Sequence, residues 1–261
     1  MLLKFLRDLK KYWPYTVQAA MASLKAEVAG SYLNWLWWIL NPLSFMVIYS
    51  LIFGVVFRAA EPYFPLYVFI GITVWEFFNH VIVHSVSMIK DKKNLLVKIY
   101  IPKFVLILSD MVVNAVKMAI SFGVIAVMML LYRVKPGVSV LYVVPVLLCT
   151  FLFTFGIGSL IMHFGVYIQD LISVVNIALR LLFYLTGVFY NVETRIPAPF
   201  NYIVLRLNPM AAFITQIREA LLFGRVTHWG LLLAWFALGA VLAVFAVQVV
   251  YRNENGYIKV V

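Results

Sequence analysis

Glu76, His80 and His84 recur at i, i+4 and i+8, and Asp110, Asn114 and Lys117 at i, i+4 and i+7, each set within an otherwise apolar stretch. On a helix either spacing keeps the groups on one face. Two histidines four apart can hold zinc, but a third strong ligand is missing. The pattern fits a polar stripe turned toward neighbouring helices better. A charge at mid-membrane costs roughly 2.5–3.5 kcal/mol on insertion scales and faces protein or water. Counting outward from the loop between the two stretches puts Asp110 level with His80 and Asn114 level with Glu76, with Lys117 a turn beyond. A polar seam is therefore expected, paired Glu76–Lys117 and Asp110–His80. A structural seam meets the cost without catalysis; an ion or proton relay would use the same groups.

Other chemistry is sparse. The chain has neither G-x-x-x-x-G-K-[ST] nor a G-x-G-x-x-G after a strand, so no phosphate-cradling loop is expected. Its ten acidic residues are too scattered for the carboxylate cluster that a membrane transferase needs, and no metal site is expected. Aromatic residues are dense instead. Trp38, Phe45, Tyr49 and Phe53 share a stripe with Pro42, and Phe183, Tyr184, Phe189 and Tyr190 crowd a later stretch. Interfacial belts account for Trp35, Trp37 and Tyr190. Phe45 and Tyr49 should lie deeper, where flat rings could line a pore and pack on the C–H faces of sugars. Ordinary helix packing explains the same residues.

The elements that must position these groups follow from composition. The chain is 65% hydrophobic and 12% charged, with a mean hydropathy of +0.99, against roughly half apolar and a quarter charged for a soluble domain. An all-α integral membrane protein is expected, a single domain over 1–261. The net charge of +11 does not point to nucleic acid, because the basic residues sit beside apolar runs, where anionic lipid attracts them. The lone Cys149 excludes an internal disulfide, and no cleavable signal peptide is evident. About 20 apolar residues cross the hydrocarbon core, and six such runs read as spans: 33–57, 62–86, 104–132, 138–169, 171–192 and 227–251.

Lys and Arg favour the cytoplasmic side. Five precede Leu33, five lie in 87–103 and two follow Tyr251, twelve against Arg58, Arg133 and Lys135 in the short opposite loops. Both termini are thus expected in the cytoplasm, with 252–261 a cytoplasmic tail. Leu2, Phe5, Leu6, Leu9, Tyr12 and Trp13 form an apolar face opposite Lys4, Arg7, Lys10 and Lys11, which predicts an interfacial helix within a 1–32 lead-in. The loop SMIKDKKNLLVKIYIPK, 87–103, alternates apolar and basic residues over Asn94–Tyr100, the pattern of a short flat helix meeting a partner. The segment 193–225 is too polar to span, and Pro197, Pro199 and Pro209 cut it into short amphipathic pieces. It predicts an outer re-entrant helical gate between spans five and six, since such backbone survives at membrane depth only inside protein or around a water-filled cavity.

Several stretches resemble a known family. Leu24–Trp37 (LKAEVAGSYLNWLW) with Asn41-Pro42-Leu43 resembles the start of ABC-2 type permeases that export polysaccharides and polyol phosphates. Asn94–Lys103 (NLLVKIYIPK) is similar to their cytoplasmic coupling segment. Gly187-Val188-Phe189-Tyr190, Ile196-Pro197 and Leu207-Asn208-Pro209-Met210, through Arg218 to Gly224, resemble their outer gate. The chain departs at Ala26-Glu27-Val28, where the family often has a basic aromatic run, and at Gln169-Asp170, where it often has Arg-Asp.

The resemblance implies a transport subunit of the bacterial cytoplasmic membrane, not an enzyme. Two copies would pair with two copies of a separate ATPase that binds the ATP and Mg, and the cargo would be a lipid-linked glycan such as O-antigen, capsule or teichoic acid. It implies that Asn94, Leu95, Leu96, Lys98, Ile99 and Tyr100 couple to the ATPase, and that Pro197, Asn208, Pro209 and Arg218 form the outer gate. An ABC-2 exporter of a drug or small lipid shares the topology. A proton-coupled transporter acting through Asp110, Lys117 or Glu76, or an embedded transferase, is the reading from other classes.

Overall fold

The computed structural model describes residues 2–29, 33–56, 61–135 and 137–260. Gly30, Ser31, Tyr32, Phe57 and Arg58, which enter the sequence reading, lie outside the described residues. The described residues are helical, with no strand among them. In chain order the α-helices are α1 (Leu2–Val28), α2 (Trp37–Tyr49), α3 (Phe64–Asp91), α4 (Lys93–Lys98), α5 (Phe104–Leu131), α6 (Val143–Tyr167), α7 (Leu171–Leu185), α8 (Val192–Arg195), α9 (Phe200–Leu207), α10 (Pro209–Leu222) and α11 (Trp229–Val260). A π-helical turn, Ser50–Val56, prolongs α2, and a 3₁₀ turn, Val138–Tyr142, leads into α6.

Five helical stretches are long and apolar enough to cross a membrane: Trp37–Val56, Phe64–Asp91, Phe104–Leu131, Val138–Tyr167 and Trp229–Glu254. The expected span over 171–192 is shorter. At 15 residues, α7 reaches only about 22 Å at the usual rise. It stops because Gly187 turns to φ +71°, while the Thr186 and Tyr190 hydroxyls donate to the Leu182 and Tyr184 carbonyls at 2.6 and 2.8 Å.

The centre of the molecule is α3, whose residues Leu66–Trp75 are buried without interruption. Such a run suits a helix apolar on every side and surrounded by others. α5, α6, α7, α10 and α2 all pack on it. Close approach depends on glycine in α6. A Cβ at Gly165 would collide with the Val86 carbonyl of α3, and one at Gly156 would lie 3.0 Å from the Ala243 nitrogen of α11. Small residues let membrane helices meet backbone to backbone.

The first helix runs further than its apolar face implied. Phe5, Leu9, Tyr12 and Tyr15 pack on the core, and Ala20 and Leu24 continue inward against Val113 of α5. Leu3, Leu6, Trp13 and Met21 point out. The stripe read from sequence as one face is thus divided between protein and surroundings.

Candidate functional site

Aromatic side chains from α2, α3, α7 and the bend after α7 meet in one cluster. Tyr49 lies 4.2 Å from Phe189 and 6.3 Å from Phe183 by ring centroids, Phe45 stacks on Tyr49 at 6.1 Å, and Phe53 stacks on Phe189 at 4.9 Å. Tyr184 joins through Phe183 at 5.7 Å. Trp75, not singled out from sequence, completes the wall at 5.3 Å from Phe183. Trp38 stands apart: it packs beside Ala20, Leu24 and Val113, with the Lys117 ammonium 5.7 Å from its ring centre.

Two cavities flank Glu76 and His80. One, of about 240 Å³, is lined by Glu27, Trp38, Asn41, Thr73, Asn114 and Lys117 among others. The second, of about 380 Å³, holds Phe45, Tyr49, Trp75 and Phe183 with Asn79, Asn176 and Arg180. Glu76 and His80 line both, so α3 presents one carboxylate and one imidazole between two polar spaces.

The expected pairing of the seam is corrected. Asp110 bonds His84, not His80, with Nδ1 and Oδ1 3.1 Å apart. Lys117 pairs with Glu27 of α1 at 2.7 Å rather than with Glu76. The reason is the asymmetric loop: α3 runs on to Asp91 while α5 starts at Phe104, which shifts the two helices by about one turn relative to a count from the middle of 87–103. Asn114 Nδ2 donates to the Asp110 carbonyl and carboxylate at 2.9 and 3.2 Å. Glu27 belongs to the stretch that departs from the family pattern, and sequence reasoning gave it no role.

At the end of the bundle remote from α4, Asn208 caps α10. Its Oδ1 accepts from the Met210 and Ala211 amides at 3.1 and 3.2 Å, and its Nδ2 donates to Thr186 Oγ1 at 3.1 Å. Asn is a preferred N-cap, and Pro209 at the first helical position lacks the amide that would go unpaired there. Pro197 lies in the exposed bend between α8 and α9. Arg218 is 2% exposed. It donates to the carbonyls of Tyr67, Gly187 and Val188 at 3.0, 2.8 and 2.7 Å. Its charge is solvated by three backbone dipoles, and it ties α10 to α3 and to the bend after α7.

The loop 87–103 contains α4, six residues long. Leu96 is buried at 3% exposure, so it belongs to the fold, and Leu95 is half-buried. The open apolar edge is Val97, Ile99 and Tyr100, beside the exposed Asn94 and Lys98. The loop is braced from the far end of the chain. Tyr100 donates to Glu254 Oε1 of α11 at 2.8 Å, and Tyr251 donates to Asp8 Oδ2 of α1 at 2.7 Å. Phe104 packs between Phe5 (4.9 Å) and Tyr251 (5.8 Å). Although the ring is exposed, its hydroxyl end is drawn against α11, and that local desolvation and then the bond to Glu254 push the Tyr100 hydroxyl up to about 12. Burial lowers the Lys103 ammonium, which finds only the Ile101 carbonyl at 3.3 Å, and the charge of Glu254 opposes that shift.

Comparison with known proteins agrees with this architecture. The family described as "ABC-2 type transporter" matches residues 18–222. The chain is similar to the O-antigen export system permease protein RfbA of Myxococcus xanthus, 30% identical over 92% of this chain and 93% of the relative. It is also similar to the protein of that name from Klebsiella pneumoniae, 25% identical over 91% of each. With five membrane-length helices among the described residues, α3 at their centre, a short helical loop braced by α1 and α11, and a family match over most of its length, the chain belongs to the ABC-2 type transporter family.

Proposed function

We propose that this chain is the membrane-spanning subunit of a bacterial exporter that moves a lipid-linked polysaccharide across the cytoplasmic membrane. Two copies would assemble with two copies of a separate ATPase that binds ATP and Mg. The observation that carries the reading is similarity along more than nine-tenths of both chains to a permease named for O-antigen export. The geometry supports it at two places: an open apolar edge on a braced cytoplasmic loop, where an ATPase can push, and an aromatic wall flanked by polar cavities, where glycan can slide.

In this reading α7 and the buried bend 186–190 together make a sixth crossing, so both termini lie in the cytoplasm. α1 lies in the cytoplasmic leaflet with Leu3, Leu6 and Trp13 toward lipid. Helices α8, α9 and α10 form the outer gate, re-entering from outside, with Asn208 and Arg218 holding α10 in place. Asn94, Leu95, Leu96, Lys98, Ile99 and Tyr100 make up the coupling segment, with Leu96 as its internal anchor. The polar seam is structural.

The test is reconstitution of the chain with its ATPase in proteoliposomes. Lipid-linked polysaccharide should stimulate ATP hydrolysis and appear on the far side. Stimulation by small lipids or drugs alone would select the rival ABC-2 reading. ATP hydrolysis by the isolated chain, free of contaminants, would remove the transporter assignment.

A further inference from the structure

Ser173, Asn176, Arg180 and Tyr184 recur along α7 at i, i+3, i+7 and i+11 in an otherwise apolar helix, and all four are exposed. This stripe is not used by the core, which α7 meets through Val175 and Leu179. An arginine in an apolar membrane helix faces protein or water. Arg180 lines the cavity of about 380 Å³ together with Glu76, Asn79, His80 and Asn176, opposite Phe45, Tyr49, Trp75 and Phe183. It makes no ion pair with Glu76, the carboxylate of that cavity.

The donor set is specific in kind. Two side-chain amides offer both donors and acceptors, as sugar hydroxyls require, and the rings offer flat apolar faces. A guanidinium without a carboxylate partner presents a planar fork of donors matched to an oxyanion. Neutral sugar alone would leave that charge without a counter-ion.

We propose that this cavity is a glycan subsite in which Arg180 reads an oxyanion, either a substituent carried on a sugar or the phosphate of the lipid carrier. Asn79 and Asn176 hold hydroxyls, and the Phe45–Tyr49 and Trp75–Phe183 walls hold ring faces. The cargo thereby carries an oxyanion, on its sugars or on its lipid carrier. The inference rests on the exporter reading above and narrows its substrate.

The experiment is equilibrium dialysis of the full chain with its ATPase partner in nanodiscs, using tetragalacturonate, maltotetraose and inorganic pyrophosphate as probes. The complex should hold tetragalacturonate roughly tenfold more tightly than maltotetraose, the scale of one charge-assisted bond. Arg180→Gln should level the two, and Arg180→Lys should keep part of the preference. Displacement of tetragalacturonate by an equal concentration of pyrophosphate would assign the oxyanion to the lipid carrier; failure to displace would assign it to the sugar. Equal retention of both oligosaccharides by the unaltered complex, or a preference that survives Arg180→Gln, overturns the proposal while leaving the exporter reading intact. Retention of none of the three probes overturns the proposal and leaves the exporter reading to the reconstitution test.

Discussion

The guanidinium carbon of Arg218 sits 3.6 Å from the centre of the Tyr67 ring, which fixes α10 against the most enclosed part of α3. The same guanidinium donates to the Tyr67, Gly187 and Val188 carbonyls. Arg218→Met would leave the Gly187 and Val188 carbonyls without their donor, at about 1–3 kcal/mol each, while the Tyr67 carbonyl keeps its helical bond. A loss on the order of 2 kcal/mol or more is expected, read as a fall in thermal midpoint in detergent. A Cβ at Gly71 would collide with this guanidinium, so Gly71→Ala should act on the same contact. Its effect should fail to add to that of Arg218→Met; simple additivity would mean that the two residues do not share a contact.

The loop at α4 separates anchor from edge. Leu96→Ala removes a buried leucine, a change that costs about 2–5 kcal/mol in packed cores, and should lower stability. Ile99→Asp or Val97→Asp changes exposed positions and should leave stability within about 0.5 kcal/mol. Either should abolish co-purification with the ATPase and export. Normal co-purification of Ile99→Asp and Val97→Asp would move the contact elsewhere, to α1 or the Gln169–Asp170 turn.

Alkaline pH provides a separate readout of the brace between loop and α11. The Tyr100 hydroxyl is raised to about 12 by local desolvation and by its bond to Glu254. Its contribution to stability is therefore complete below about pH 10, the ordinary tyrosine value, and is lost as pH rises toward 12. Thermal midpoints taken from pH 9 to 12 should fall less steeply in Tyr100→Phe than in the unaltered chain. Identical slopes would show that the bond to Glu254 does not form.

The pair Lys117–Glu27 joins α5 to α1, both side chains partly exposed. Such pairs are worth about 0.2–1 kcal/mol. A double-mutant cycle of Lys117→Met and Glu27→Gln should return a coupling in that range. Lys117→Met with Glu76→Gln should return a smaller coupling; a larger one there would restore the pairing read from the sequence.

Sidedness is open to chemistry. With Cys149 replaced, a single cysteine at Lys92 should be closed to an impermeant thiol reagent in intact cells, and one at Ser139 should be reached. Labelling at position 92 from outside would reverse the assigned orientation.

Long apolar runs made the membrane helices legible, because length against hydrocarbon thickness is a one-dimensional property of sequence. The end of α7 was not, since it depends on Gly187 adopting positive φ in a run that stays apolar to Val192. Which residues pair across the seam depends on where α3 ends, and Lys90–Lys92 give no stop signal. The face of α4 could not be read either: over six residues the helical period leaves Leu95, Leu96 and Val97 equally eligible for burial, and packing against α3 and α11 decides. Arg180 was within reach, because it shares a spacing rule with Asn176 and Tyr184 that was applied to spans two and three only.

Tyr251 finds Asp8 across 243 positions of chain, and Glu254 and Tyr257 are set into the same end of the fold. A ribosome therefore releases α3, α5 and α6 before the first helix has its last partner. Until residues 251–257 emerge, α1 can pack on Phe104 but Asp8 lacks Tyr251, and Tyr100 lacks the Glu254 carboxylate. Emergence of this stretch, rather than of the apolar run before it, fastens the loop at α4.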